Sequence, residues 1–117
     1  MRFFVATLAL AQILGAPLSA IAASTDSPGS YNYYQVRGNK EAMAADFASA
    51  IADWKHAAVL DTDPDANCRG EFQRVQIQAA RDAQQRMTAK NLTNAQAAEW
   101  FQQHETALWT PNKCNRP

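Results

Sequence analysis

Residues 40–60 read KEAMAADFASAIADWKHAAVL, and the spacing within this stretch decides the fold. Met43, Phe47, Ala50, Ile51, Trp54 and Ala58 recur at three- and four-residue intervals, which lines them along one face of a helix. Asp46, Asp53 and Lys55 fall mainly elsewhere. Gly38 or Asn39 supplies the helix start, and Glu41 sits in the first turn, where a carboxylate meets the positive end of the helix dipole. Such a stripe has to be covered, so this helix calls for partner helices.

Downstream, Asp61-Thr62-Asp63-Pro64-Asp65-Ala66-Asn67 interrupts the pattern, because proline does not fit a helix interior and Asp and Asn favour turns and caps. A second helix is predicted from about Cys68 to Ala89, with Phe72, Val75, Ala79, Ala83 and Met87 on its apolar side. Its other faces carry Gln73, Arg74, Gln76, Gln78, Arg81, Gln84, Gln85 and Arg86, the composition of a solvated surface. A third helix begins at Thr93, which forms a T-x-x-Q capping box with Gln96, and ends before Pro111. Ala97, Trp100, Phe101, His104 and Leu108 mark its inner side. The expected fold is all-α: a small three-helix bundle closed by one disulfide.

Upstream, Met1 and Arg2 precede an uncharged run from Phe3 to Ile21 that closes on Ala20-Ile21-Ala22. A basic n-region, an apolar h-region and an A-x-A-like site read as a secretory signal over residues 1–22. A retained membrane anchor is the competing reading; Gln12, Gly15 and Pro17 weaken it, and no basic cluster follows. Residues 23–38 are rich in Ser, Pro and Gly, carry Tyr31, Tyr33 and Tyr34, and read as a flexible, extended arm ahead of a helical domain over 39–117. The tyrosines have two readings, a lid across the helices or a recognition surface.

The full chain has eleven Lys and Arg against eleven Asp and Glu, and loss of Arg2 with the leader leaves ten against eleven. That balance argues against a nucleic-acid binder working through phosphates and against polybasic attraction to membranes. Cys68 and Cys114 are the only cysteines. An even count in an exported chain reads as one intramolecular bridge. Closing a loop of about 46 residues stabilises a fold by roughly 4 kcal/mol in the chain-entropy model. A thiol-chemistry reading lacks the C-x-x-C spacing it needs.

Other motifs are thin. Asp61, Asp63 and Asp65 copy the first half of a calcium loop, but Ala66 and Phe72 stand where that loop requires Gly and Glu. His56 and His104 have no metal-pair spacing, so a catalytic role requires a carboxylate such as Asp53, Asp82 or Glu105 brought close by folding. Asn91-Leu92-Thr93 is an N-x-[ST] sequon in the connection between the second and third helices, so Asn91 is a glycosylation candidate, although Thr93 also serves as the cap. Trp54, Trp100, Phe101 and Met87 build either a solid core or the walls of a ligand pocket. No cofactor or metal site is expected.

In its leader, its mature length, its few cysteines, its sequon and its want of an enzyme signature, the chain resembles the broad class of small secreted effector-like proteins of plant-associated fungi. The resemblance implies a virulence-type protein acting outside the producing cell, or inside a host, by binding a host component. The expected function is therefore that of a secreted, non-enzymatic interaction protein with an extracellular or host protein partner. Tyr31, Tyr33, Tyr34, Arg74 and Arg81 are the candidate contact residues, since aromatic residues and arginine are enriched at interfaces. A carrier of a small apolar molecule and a small hydrolase using a His–carboxylate pair are the alternatives.

Overall fold

The computed structural model describes residues 27–109, all of whose regular structure is helical. Helix α1 spans Tyr31–Met43, α2 Phe47–Leu60, α3 Arg69–Lys90 and α4 Asn94–Trp109, with a 3-10 turn at Ala66–Cys68 before α3. Helix α1 packs on α2, α2 on α3, α3 on α4, and α1 also touches α4. The domain is a helical bundle, as expected, but it has four helices rather than three.

The extra helix corrects the reading of residues 23–38 as an extended arm. Ser30 caps α1, its hydroxyl accepting from the Tyr33 backbone N–H at 3.1 Å. The buried face of α1 is made of Gly38 and Ala42, which carry too little side chain to register as a hydrophobic stripe. Gly38 looks like a helix start in the sequence; in the fold it lies mid-helix, because the Trp54 indole fills the space a side chain would need. A Cβ built on Gly38 would stand 2.5 Å from Trp54 Nε1 and 2.7 Å from its Cδ1.

The helix expected over 40–60 is also divided. Ala45 adopts a left-handed φ of 63°, and Asp46 then caps α2, its carboxylate accepting from the Ser49 backbone N–H at 3.3 Å. The break resets the helical face. Phe47, Ala50, Trp54 and Ala57 are buried, whereas Met43 and Ala58, expected on the same stripe, are exposed.

Alanine sets the spacing of the core. Ala50, Ala79, Ala80, Ala83 and Ala97 are buried to within 1% exposure, which lets helix backbones approach closely, and three aromatic rings fill what is left. Phe101 lies 5.9 Å from Trp54 at an interplanar angle of 20° and 5.7 Å from Phe47 at 44°. The capping box of α4 forms as read: Thr93 N–H donates to Gln96 Oε1 at 2.9 Å and Gln96 N–H to Thr93 Oγ1 at 3.2 Å. Helices α3 and α4 run antiparallel, since Phe72 near the start of α3 meets Trp109 at the end of α4, edge to face at 5.3 Å. The bridge expected between Cys68 and Cys114 involves position 114, which lies outside the described residues, as do the leader 1–22 and the first residues after it.

Replacing Gly38 with alanine forces either the indole or the helix to move. Overpacking of this kind costs about 1–3 kcal/mol. Gly38→Ala is expected to lower the midpoint of urea unfolding accordingly, whereas alanine at the open, exposed Asn32 is expected to leave it unchanged.

Candidate functional site

The structure separates the candidate contact residues into two groups. Tyr31, Tyr33 and Tyr34 stand on the first turn of α1 and are each half-buried. The Tyr34 ring stacks on His56 with centroids 3.9 Å apart, and the Arg37 guanidinium lies 5.2 Å from the Tyr33 ring centroid and 5.3 Å from that of Tyr34. Tyr31 lies beneath Arg69 at 5.4 Å. The tyrosines therefore brace α1 against α2 and the start of α3.

Arg74 and Arg81 sit two turns apart on α3 and meet Lys55 of α2 along a groove of about 400 Å³. Val75, Ile77 and Leu108 supply its apolar lining. Glu71 pairs with Arg74. Three cations thus face one anion around apolar side chains, an arrangement that sequence order hides because Lys55 belongs to another helix.

Behind Arg37 lies a carboxylate pair, Asp53, which the helical pattern had placed away from the apolar face, and Glu41, which it had placed in the first turn of a helix. Asp53 is only 6% exposed because Arg37 covers it with a two-pronged contact, Nε to Oδ2 and Nη2 to Oδ1, both 2.8 Å. Those hydrogen bonds hold the Asp53 carboxyl below its usual range. Glu41, desolvated and sharing a hydrogen bond with Asp53, is pushed up to about 7. The consequences for stability have opposite signs. Folded Glu41 retains a proton that the unfolded chain has lost, so its contribution is largest at low pH and disappears as pH rises from the ordinary glutamate range to about 7. The Asp53 contribution is present above the ordinary aspartate range and is lost as pH falls through it. Thermal stability is expected to decline between about pH 5 and pH 8, and Glu41→Gln, which stays neutral, is expected to flatten that decline.

His104 is brought to a carboxylate. Its Nε2–H donates to Asp82 Oδ2 at 2.7 Å, and its ring stacks on Trp100 at 4.4 Å. Gln78 donates to the other Asp82 oxygen at 2.9 Å, and Arg86 lies 5.1 Å over the Trp100 ring. The arrangement fixes the imidazole orientation. The acidic run is otherwise engaged: Asp61 accepts from Arg69 Nη2 at 2.6 Å and from the Asp63 backbone N–H at 3.0 Å. Among the described residues, no group of three His, Cys, Asp or Glu side chains is placed to hold a metal ion, and no helix is long and apolar enough to cross a membrane.

The pocket considered at the sequence level divides differently from its expected walls. Trp54 and Phe101 border a cavity of about 500 Å³, but with Tyr31, Gln35, Phe72 and Gln76 rather than with Trp100 and Met87. Trp100 instead borders a shallow surface niche with His104 and Asp82. Gln73 and Gln76, assigned to a solvated face, are 3% and 4% exposed. Gln76 is drawn inward by polar partners on α1, a long-range pairing that leaves no mark on helical periodicity.

No family model, curated protein or solved structure matches the chain.

Proposed function

We propose that this chain is an exported, non-enzymatic interaction protein of the effector type, which engages an acidic segment of an extracellular or host protein through the Lys55–Arg74–Arg81 groove. The convergence of these three side chains from two helices on an apolar lining carries the reading. Electrostatic attraction of this sort speeds encounter and selects partners, while apolar contact supplies much of the affinity. In this reading the leader over residues 1–22 is removed, the Cys68–Cys114 bridge holds the chain after α4 to the start of α3, and Asn91, exposed in the α3–α4 connection, is available to a glycan. The tyrosines serve chiefly to hold α1 in place.

The test uses a dye-labelled peptide of alternating acidic and leucine residues, titrated by fluorescence anisotropy. The expected result is saturable binding that weakens with added salt and falls at least about tenfold in Lys55→Glu/Arg81→Glu, as losing two charge contacts at an interface would produce. Binding unchanged by that double reversal would refute the groove. Intact mass of the secreted product before and after reduction checks the rest: the expected mass is that of residues 23–117 with one disulfide, plus any glycan.

A hydrolase built on His104 has one observation in its favour, the hydrogen bond to Asp82. Turnover of a nitrophenyl ester that is lost in His104→Ala would move the assignment to that pair; equal rates in the two proteins would dismiss it.

A further inference from the structure

Beyond residue 1 the chain has two methionines, Met43 and Met87, and the fold gives them opposite surroundings. Met43 is the last residue of α1 and is 51% exposed. Its Sδ accepts from the side-chain amide of Gln102 on α4, with Nε2 at 2.9 Å. Met87 of α3 is half-buried and packs against the hydrophobic core. The Met43–Gln102 contact joins two helices that otherwise touch lightly, since α1 packs chiefly on α2.

Two-electron oxidation of a thioether places an oxygen on the sulfur and turns an apolar side chain into a polar one. Where the sulfur faces a core, as at Met87, the new dipole is buried without a partner and the fold is weakened. At Met43 the same change has the other sign. Thioether sulfur is a weak acceptor, whereas the oxygen of a sulfoxide is a strong one. A donor already stands opposite it in the Gln102 amide, and both side chains are exposed, so the new polar atom is not desolvated. The unbranched methionine side chain has three rotatable bonds, enough to set the oxygen where the sulfur now faces the amide. Helix α1 gains most from such a tie, because its buried face consists of Gly38 and Ala42 alone.

We propose that Met43 is a redox modification site: a peroxide oxidises it to the sulfoxide, whose oxygen takes over the Gln102 hydrogen bond and fastens the end of α1 to α4. In this step the sulfur lone pair attacks one peroxide oxygen, and an S–O bond forms as the O–O bond breaks. The departing hydroxide takes the proton of the transferred oxygen and leaves as water. Sulfur gives up two electrons and the peroxide accepts them. No residue of the chain has to catalyse the transfer; exposure selects the thioether that reacts. A sulfoxide reductase reverses the change.

Treating the intact protein with hydrogen peroxide tests the site. Peptide mass analysis is expected to find one added oxygen on Met43 before any on Met87. The thermal unfolding midpoint is expected to rise by about 2–4 °C, the worth of one modest hydrogen bond in a domain of this size, and the Gln102 side-chain N–H resonance to move downfield as its acceptor strengthens. Gln102→Leu removes the donor and is expected to take up oxygen at Met43 without the rise. Oxidation of Met87 first, a midpoint unchanged or lowered once Met43 carries oxygen, or an equal rise in Gln102→Leu would overturn the proposal. The first two comparisons are made on the unaltered protein and stand even if the variant fails to fold.

Discussion

Everything in this bundle depends on the contact between Gly38 and the Trp54 indole. The ring occupies the place of a side chain on α1, so the two helices cross closer than any other residue at position 38 would allow. With Trp54 fully buried there, its Nε1–H is given to the Gln35 carbonyl rather than left without a partner. That one approach brings Arg37 over Asp53, sets Gln35 facing Gln76 of α3, and presents the indole to Phe101 of α4. The ion pair, the amide relay and the aromatic stack are consequences of a missing methyl group.

The alanine-rich core explains why so much polar chemistry lies inside a small domain. Close helix approach leaves little room for large aliphatic side chains, so the space between helices is filled by a few aromatic rings and by the amides of Gln73 and Gln76. Where an amide finds partners, as Gln76 does with Gln35 and Asn39, the polar group ties helices together. Gln73, by contrast, has neither side-chain polar atom bonded among the described residues, and Glu41 is pushed toward neutrality by burial beside Asp53. Glu41 belongs to α1, the helix with the fewest large apolar anchors and one that forms a wall of the cavity.

Sequence and structure diverge where side chains are small or polar. The inward positions of Phe47, Ala50 and Trp54 on α2, the extent of α3 and the capping box of α4 were readable because they rest on local rules: apolar spacing, turn residues and a side chain reaching three residues along the chain. Helix α1 was not, because a face made of glycine and alanine has no hydrophobic period, and its Ser30 cap stands among Pro and Gly residues that read as loop. Of the candidate contact residues, Arg74 and Arg81 do share a surface, but Lys55, which completes it, comes from a different helix. The tyrosines were visible as a cluster; that they would lie under arginines and against His56 was not.

The amino-acid sequence alone determines that this chain is helical beyond the turn residues, with aromatic residues spaced to face inward and charges in balance, because these properties follow from neighbours within a turn or two. Tertiary structure decides how many helices there are, which polar residues are buried, and where cavities open. Those outcomes depend on contacts between positions 16 to 41 residues apart, such as Arg37 with Asp53 and Gln35 with Gln76. A short-range pattern carries no record of which distant side chain will fill the space that a glycine leaves.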